Sequence, residues 1–374
     1  MFKKNKLITF IVILLVLSLG IFFLFQKLFD PSKSFAVSSD VDFYIVGYNN
    51  IEGYQLGNND AQKVSDEEVE IVKGQINQVI MRAELSNRYL VFSEEGRPLG
   101  TVGRIIAIDF KNGTIKYNKT PDYAYTSSGV SSDYYFSSEA NTEDSFIAVF
   151  DENLEEIDKY TFENGVLASD FSIDNNDNIY FIGVDVAGDE TFPAYLYTFS
   201  FKDKTLKLEN KELLYENPDV SYSFIDSIVK NNHLYAISPG YRINATKERV
   251  VLGQIFHYDM NTGQKEMIDL PEIAPYNIFD LSSNLLAIEH EPNDSGKIGF
   301  SLFHLNDRAS TFIDLSPFGL SIEGGTDYLK DVKQIDDNTL LILAGDKLIG
   351  YNISDNTVIF EQQTTDDSFH IWVN

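Results

Sequence analysis

The sequence predicts an all-β fold built from repeated four-stranded units, with one apolar helix at its N-terminus. Short runs rich in Ile, Val, Phe and Tyr recur after residue 40, and turns rich in Asn, Asp and Gly separate them. Two kinds of hairpin alternate along these runs. No later stretch has a convincing helical period, and the only candidate for one is the acidic segment 65–73.

The first kind of hairpin is clearest at 105–117, where Asn112-Gly113 is the strongest turn signal for two short strands. Related hairpins recur at 146–157, 196–208, 255–268, 300–313 and 348–360, and more faintly at 43–56.

A second kind of hairpin precedes most of these. It occurs at 171–183, 226–238, 278–289 and 332–344, and in weaker form at 79–93 and 123–137. Two hairpins in each unit supply four antiparallel strands. Four strands every 40–55 residues, repeated around a ring, indicate a β-propeller. A β-helix would need shorter and more uniform repeats.

The two ends of the chain indicate how the ring closes. The hairpin at 43–56 has no partner hairpin before it, and the last hairpin is followed only by one further strand at 369–373. We expect this strand to pair with the N-terminal strands, because such closure removes open sheet edges. The prediction is therefore a seven-bladed β-propeller over 41–374, with six blades as the alternative.

The N-terminus predicts a membrane anchor. Lys3, Lys4 and Lys6 precede the apolar run Leu7–Phe25, which as a helix spans roughly 28 Å, close to the thickness of the hydrocarbon core. The lysines favour a cytoplasmic N-terminus. We therefore expect a tail at 1–6, a transmembrane signal-anchor helix at 7–26 in the plasma membrane, a linker at 27–40 and an extracellular propeller.

A cleaved signal peptide is the alternative, with Ala36-Val37-Ser38 as a small-residue cleavage site. The apolar run is longer than the usual signal core, and this site lies some ten residues beyond it.

Composition excludes several classes of function. The net charge of −28 argues against nucleic acid as a partner, because a strongly acidic protein surface repels the phosphates of nucleic acids. The chain contains no cysteine, which removes disulfides, zinc–thiolate sites, thiol nucleophiles and lipoprotein acylation. Absent cysteine together with many Asn, Lys, Ile and Tyr suggests a low-GC Gram-positive bacterium.

One repeat motif resembles a known group. Ala107-Ile108-Asp109, Gly113 and Tyr117 are similar to the A-x-D-x-x-x-G-x-x-x-aromatic repeat of quinoprotein-like and YVTN-type propellers, and Asp259 with Gly263 repeats part of it. The resemblance implies the fold and no active-site residue. In the quinoprotein-like group a Trp usually docks neighbouring blades. This chain has only Trp372, so its docking is expected to differ.

The two ends of the predicted strands differ in their connections. We call one end the short-turn face, with turns at 111–113, 175–177, 231–232 and 262–263, and the other the long-loop face, with loops at 93–104, 138–145, 184–194, 238–254 and 289–298. Binding surfaces are usually built from long loops on a rigid scaffold. Arg and Tyr suit such surfaces. The candidate binding residues are Arg97, Arg104, Tyr123, Tyr125, Tyr241, Arg242 and Arg249.

Structural roles are the alternatives for these residues. The arginines share their loops with acidic residues such as Glu94, so local ion pairs would also explain them. The segment at 122–135 ends in Tyr134 and Tyr135, which would pack between blades if they are strand residues.

Motifs for catalysis or for a cofactor are scarce. The five histidines form no H-E-x-x-H or H-x-H pair, and His257 and His304 fit packing better than metal ligation. Asp174, Asn176 and Asn178 resemble the start of a calcium loop but lack its glycine and its distal Glu. No cofactor is predicted, with calcium as the one alternative.

These observations favour a membrane-anchored binding module for a protein or glycan partner at the cell envelope. The first alternative is a cell-surface enzyme of the lactonase, glycan-hydrolase or lyase type with a site in the central channel. The second is an accessory subunit of a membrane transport or secretion complex. Propellers host all of these functions, so the fold alone does not decide between them.

Overall fold

The computed structural model describes residues 33–374 except 75, 77–83, 86–87, 95–102, 119–126, 132–133, 140–144, 164, 175, 187–190, 293–296 and 321–328. In this part of the chain nearly all regular structure is β-strand, and the one helix is the 3₁₀ turn Ser316–Phe318. None of it is a helix with the length and apolar character needed to cross a bilayer. The predicted anchor at 7–26 lies outside the described residues and stays a prediction.

The described strands form seven antiparallel sheets of four or five strands and one smaller sheet. From the inner edge outwards, they are sheet 1 (Glu84–Leu85, Tyr89–Glu94, Arg104–Asp109, Thr114–Tyr117, Lys33–Ser34), sheet 2 (Ser127–Val130, Tyr135–Glu139, Phe146–Phe150, Glu156–Thr161), sheet 3 (Val166–Ile173, Asn178–Asp185, Ala194–Lys202, Thr205–Tyr215), sheet 4 (Asp226–Lys230, His233–Ile237, Gln254–Asp259, Gln264–Asp269), sheet 5 (Pro275–Ser282, Leu285–His290, Gly299–His304, Ser310–Asp314), sheet 6 (Leu329–Gln334, Thr339–Ala344, Lys347–Asn352, Thr357–Gln363) and sheet 7 (Ser368–Val373, Phe43–Gly47, Asn50–Leu56, Ala61–Glu68).

The sheets stack in chain order, as in a propeller. The first strand of each of sheets 2 to 7 contacts the inner strands of the sheet before it. Middle strands such as Phe146–Phe150 and Leu285–His290 are buried along their whole length, because neighbouring sheets cover both of their faces. Fourth strands such as Glu156–Thr161 are largely exposed. The fold is therefore all-β with a propeller-like arrangement of sheets.

The predicted hairpins are confirmed, with two corrections at the N-terminal end. The hairpin at 43–56 supplies the second and third strands of its sheet, not the third and fourth. The acidic candidate for a helix at 65–73 is wrong, because Ala61–Glu68 forms the fourth strand and pairs with Asn50–Leu56. Its alternating exposed charges lie along an outer strand that faces solvent on one side.

The predicted pairing of the chain ends is confirmed. Ser368–Val373 pairs antiparallel with Phe43–Gly47, so one sheet contains strands from both ends of the chain. Trp372 of this sheet stacks on Phe110 of sheet 1 with ring centroids 4.4 Å apart. The only tryptophan therefore docks the last sheet against the first.

Side chains near the inner edges link successive sheets. Asp331 Oδ2 accepts a hydrogen bond of 2.9 Å from the Ile371 N–H, one sheet further on. Asp226 Oδ2 accepts the Ile278 N–H at 2.6 Å in the same way. First strands have no further strand to pair with, so these carboxylates satisfy backbone groups that would otherwise lack a partner.

The N-terminal end of the domain begins earlier than expected. Lys33–Ser34 is a fifth strand of sheet 1, and the Phe35 N–H donates to the carbonyl oxygen of Gly113 at 2.9 Å. The ring of Phe35 is buried against Tyr44 and Phe110. Gly113 has φ of 61°, and a Cβ there would lie 2.2 Å from the Phe35 carbonyl oxygen. Residues 33–35 of the predicted linker are thus attached to the domain, and residues 36–40 are exposed.

Trp372→Ala should lower the free energy of unfolding by about 3–5 kcal/mol, because it leaves a cavity between sheets 7 and 1. Denaturant titration monitored by tyrosine fluorescence or circular dichroism measures this change in the free energy of unfolding. Val358→Ala is the matched control, since Val358 is 39% exposed, and should change the free energy by less than about 0.5 kcal/mol. Equal midpoints for the two variants would contradict the proposed closure.

Candidate partner-binding surface

The loop predicted at 238–254 is a small sheet on the long-loop face. Gly240–Ile243 and Arg249–Val251 form a hairpin, and Gly240–Ile243 also pairs with Val220–Tyr222 from the connection between sheets 3 and 4. We call these three strands the platform. Gly240 has φ of 152°, and a Cβ there would lie 1.9 Å from the Val250 carbonyl oxygen, so this position requires glycine.

Aromatic rings hold the platform on the domain. Tyr222 lies between Tyr215 and Tyr241, with centroid distances of 4.9 Å and 5.8 Å, and stacks on Phe224 at 6.1 Å. Burial raises the pKa of Tyr222, so its hydroxyl stays protonated at neutral pH. These rings attach the platform to sheet 3 at Tyr215 and, through Phe224 and Phe256, to sheet 4.

Two arginines face each other across the platform. Arg242 pairs directly with Arg249 in the antiparallel register. The Arg242 guanidinium lies 4.4 Å from the ring centroid of Phe192, a cation–π contact that fixes its direction. Arg249 is exposed. Like charges directly opposite one another destabilise a strand pair, and an anionic partner would relieve this repulsion.

A shallow depression beside the platform has too little enclosed space to hold a water molecule. Its lining is mainly apolar and consists of Tyr222, Phe224, Ser238, Leu252, Gln254, Phe256 and Met267. Val251, at the edge of the platform, is 43% exposed. The surface thus combines a pair of arginines with apolar and tyrosine side chains.

Arg104, another predicted binding residue, belongs to a different sheet and has internal partners. Its Nη2 lies 2.5 Å from Glu94 Oε2, and its guanidinium is 4.5 Å from the ring centroid of Tyr117. Glu94 also accepts the N–H groups of Lys73 and Gly74. The alternative of a local ion pair is therefore confirmed for Arg104.

Three predicted binding residues, Arg97, Tyr123 and Tyr125, lie outside the described residues. For the neighbouring tyrosines the packing alternative is confirmed. Tyr135 is buried edge-on against Tyr89, and Tyr134 packs on Phe201.

The aspartates of the repeat motif close turns. Asp109 Oδ1 accepts the N–H groups of Lys111 and Asn112, each at 3.0 Å, and its other oxygen accepts hydrogen bonds from Arg88. Burial opposes ionisation of Asp109, but the Arg88 and Asn112 hydrogen bonds outweigh it and lower its pKa.

The calcium-like segment also has a turn geometry. Asp174 accepts the N–H groups of Asn176 and Asn178 at 2.7 Å and 3.0 Å, and the hydroxyl of Tyr180 at 3.0 Å. Within the described residues, no group of three or more His, Asp or Glu side chains is placed to hold a metal ion.

His257 lies in a hydrogen-bonded chain on sheet 4. Its Nδ1 is 2.9 Å from Glu266 Oε1, and its Nε2 is 3.0 Å from Nδ1 of His233. His257 also stacks on Tyr235. These contacts agree with the packing role expected for His257.

A buried carboxylate–imidazole pair lies on the inner strands of sheets 6 and 7. His370 Nδ1 is 2.8 Å from Asp331 Oδ2, and Lys333 Nζ is 3.3 Å from Asp331 Oδ1. The side chains of His370 and Asp331 are only 4% and 3% exposed. His370 Nε2 has no hydrogen-bond partner among the described residues. An imidazole held in this way by a carboxylate has the orientation of a general base.

The sequence did not reveal every feature of these two sites. Tyr222 and Phe192 contact the platform hairpin from two other loops of the chain. The only sequence signal for a strand at 220–222 is the alternation of apolar and polar residues in Val220-Ser221-Tyr222. Asp331 and His370 are 39 residues apart with no shared motif. The stacking of the first strand of sheet 7 on the first strand of sheet 6 brings them together.

No known protein family matches this sequence, and no curated protein matches it either. Solved structures resemble its fold. A Bacteroides fragilis protein described as a candidate 6-phosphogluconolactonase superposes with a TM-score of 0.57 at 10% identity, over 91% of this chain and 99% of its own. A Bacteroides uniformis protein with the same description has a TM-score of 0.55 at 10% identity, over 90% and 100%. A Lactobacillus plantarum protein has a TM-score of 0.54 at 12% identity, over 89% and 98%.

At these identities the likeness shows the fold alone. It confirms the resemblance to propellers at that level. Assignment to the quinoprotein-like or YVTN-type group stays a prediction.

The Asp331–His370 pair predicts lower stability in acid. Burial lowers the pKa of His370 despite the adjacent carboxylate. Burial alone would raise the pKa of Asp331, but Lys333, His370 and the Ile371 N–H lower it. Both folded pKa values lie below the unfolded ones, so the stabilisation is complete above the unfolded values and is lost as pH falls through the folded ones.

His370→Gln should therefore flatten the decline in unfolding free energy between about pH 7 and pH 5, because the unfolded pKa of histidine is near 6.5. Denaturant unfolding at several pH values measures this decline. His304→Gln, at a half-buried position of sheet 5, is the control and should keep the wild-type slope. An unchanged slope for His370→Gln would show that this pair does not set the acid sensitivity.

Proposed function

We propose that the chain is a seven-bladed propeller, anchored in the plasma membrane by residues 7–26, that displays the platform to an anionic protein or glycan at the cell envelope. The anchor rests on the apolar run Leu7–Phe25 and the lysines before it. The blade count rests on the seven sheets of four or five strands and on the contact of Trp372 with Phe110.

The direct opposition of Arg242 and Arg249 carries the assignment of the binding surface. On a chain with a net charge of −28, acidic side chains are the expected surface groups, and a pair of arginines is an exception. Guanidinium groups bind carboxylates and phosphates through paired hydrogen bonds. The adjacent Tyr241 and Val251 add apolar contact area, as is common at protein interfaces.

Replacing both arginines, in the variant Arg242→Gln/Arg249→Gln, should reduce partner capture at least tenfold, because it removes the charges that recognise the anionic group. The measurement uses the full-length chain solubilised from membranes as bait in an envelope extract, with the retained components quantified by mass spectrometry. Any shorter version should begin at Lys33, since Phe35 is part of the core.

The matched control for this experiment is Arg308→Gln. Arg308 is 47% exposed and contacts Glu266 next to the short turns of sheets 4 and 5, so its replacement should leave capture unchanged. Full capture by the double variant would place the binding surface elsewhere.

A cell-surface enzyme is the second candidate function, and the Asp331–His370 pair is the observation that favours it. His370 would accept a proton at Nε2 from an attacking water, while Asp331 positions the ring. The substrate class would be a lactone, because two proteins of similar structure are described as candidate 6-phosphogluconolactonases. This function requires that the substrate reach Nε2 despite its burial.

Hydrolysis of a lactone panel by the full-length protein tests the second function. His370→Gln should reduce the rate at least 100-fold if His370 is the base, in line with typical general-base contributions of about 10²–10⁴. Arg242→Gln should leave the rate unchanged. Equal rates for the wild type and His370→Gln would exclude this site.

A further inference from the structure

We infer that the long-loop face, with the platform, is turned toward the membrane from which the chain emerges, so that the partner is a protein held in that same membrane. This inference rests on the proposed anchor. It deepens the proposed function, because it names the class of partner and the side from which it approaches.

Lys33 shows where the chain first reaches the domain. Its Nζ donates to the carbonyl oxygen of Glu70 and lies 3.2 Å from Glu70 Oε2. Lys33 Nζ also lies 5.9 Å from the ring centroid of Tyr117. The Arg104 guanidinium is 4.5 Å from the same centroid. Glu70 belongs to the connection between sheets 7 and 1, and Tyr117 ends the fourth strand of sheet 1. Both lie at the long-loop ends of their sheets.

The next residues lead away from that face. Phe35 donates its N–H to Gly113, in the short turn between the third and fourth strands of sheet 1. The chain then continues through residues 36–42 to the start of Phe43–Gly47, at the short-turn end of sheet 7. Because Lys33–Ser34 runs antiparallel to Thr114–Tyr117, the chain passes from the long-loop end to the short-turn end. Residues that precede Lys33 therefore approach from the long-loop side.

The distance to the bilayer is short. Only residues 26–32 separate Phe25 from Lys33, and seven residues span at most about 25 Å when fully extended. Strands of five to eleven residues, as in sheets 3 to 6, cover about 17–36 Å. A tether of this length, attached at the long-loop end, holds that end nearer the membrane than the short turns.

The platform lies at the same end. Its hairpin joins the second and third strands of sheet 4, and Val220–Tyr222 lies in the connection from sheet 3. Four of the exposed aliphatic side chains among the described residues lie in sheets 3 and 4 and their connections, in the parts nearer the long-loop end: Leu167, Leu213, Val251 and Ile273. Of these, Val251 belongs to the platform, and an apolar group next to an arginine pair fits a protein surface with a carboxylate.

Lipid itself is the less suitable partner. Asp219 and Glu248 are exposed next to strands of the platform, and they would repel anionic headgroups. A membrane protein can place its own anionic group opposite Arg242 and Arg249 and keep the acidic side chains in water.

Distance measurements on the full-length chain in lipid nanodiscs test the orientation. The chain has no cysteine, so Ile273→Cys and Val358→Cys each give one labelling site. Ile273 is 44% exposed at the long-loop end, and Val358 is 39% exposed next to a short turn. A fluorescent donor is attached to the cysteine, and acceptor dyes are attached to the lipid headgroups. We expect resonance energy transfer to be at least twofold more efficient from position 273 than from position 358. Equal or reversed efficiencies would overturn the orientation.

A longer tether is the matched control. Inserting fifteen Gly and Ser residues between positions 32 and 33 should remove the difference between the two sites, because the tether no longer restricts the domain. Persistence of the difference would show that something other than the tether orients the domain, and would overturn the tether argument.

Two further measurements separate this inference from the proposed function. If the full-length chain fails to float with liposomes, the anchor fails and the orientation fails with it. If the chain floats and the transfer efficiencies are equal, only the orientation is wrong. A photoreactive label at Val251→Cys in native membranes should form an adduct with a membrane protein, whereas adducts with lipid alone would overturn the partner class.

Discussion

The antiparallel pairing of Ser368–Val373 with Phe43–Gly47 is the contact on which the remaining structure depends. Each sheet has buried middle strands that need a neighbour on both faces, so a row of such sheets is stable only when its two ends meet. The pairing builds the last sheet from both ends of the chain, and Trp372 and Phe369 then pack on Phe110 and Phe92 of sheet 1. The chain runs from the last three strands of sheet 7 through sheets 1 to 6 and then enters the first strand of sheet 7, so this one non-covalent strand pair closes the ring.

The stacking of successive sheets also determines where polar groups are buried. First strands present one edge without a strand partner, and the carboxylates of Asp226 and Asp331 accept N–H groups there. A buried carboxylate is costly unless charged or hydrogen-bonded groups surround it, and at Asp331 these groups are Lys333, His370 and the Ile371 N–H. The same contacts that satisfy the backbone therefore create the one site in the described residues where an imidazole is oriented by a carboxylate and keeps a free ring nitrogen.

The platform depends on this rigid scaffold. Three short strands of three or four residues would not hold together alone, and the rings of Tyr215, Tyr222 and Phe224 attach them to sheets 3 and 4. On such a support, Arg242 and Arg249 can stay opposite one another despite their repulsion. The N-terminal strand at Lys33–Ser34 is attached in a similar way, through the backbone of Gly113 and the ring of Phe35. Both additions extend the domain beyond its main sheets, and the Phe35 ring joins the core between sheets 7 and 1.

The sequence by itself determined the strands and their grouping into hairpins, because side-chain alternation and turns such as Asn112-Gly113 are local signals. It also indicated the strand shared by the two ends, since one hairpin lacked a partner and one strand was left over. The role of Ala61–Glu68 needed tertiary information, because an outer strand exposed to solvent carries charges that resemble those of an acidic helix. The site depended still more on tertiary structure. Arg104 and Arg242 are alike in sequence, yet Arg104 reaches Glu94 across its own sheet, whereas Arg242 lies opposite Arg249 beside Phe192. Both contacts form within single hairpins, so the register of each folded hairpin decides which partner each charge meets.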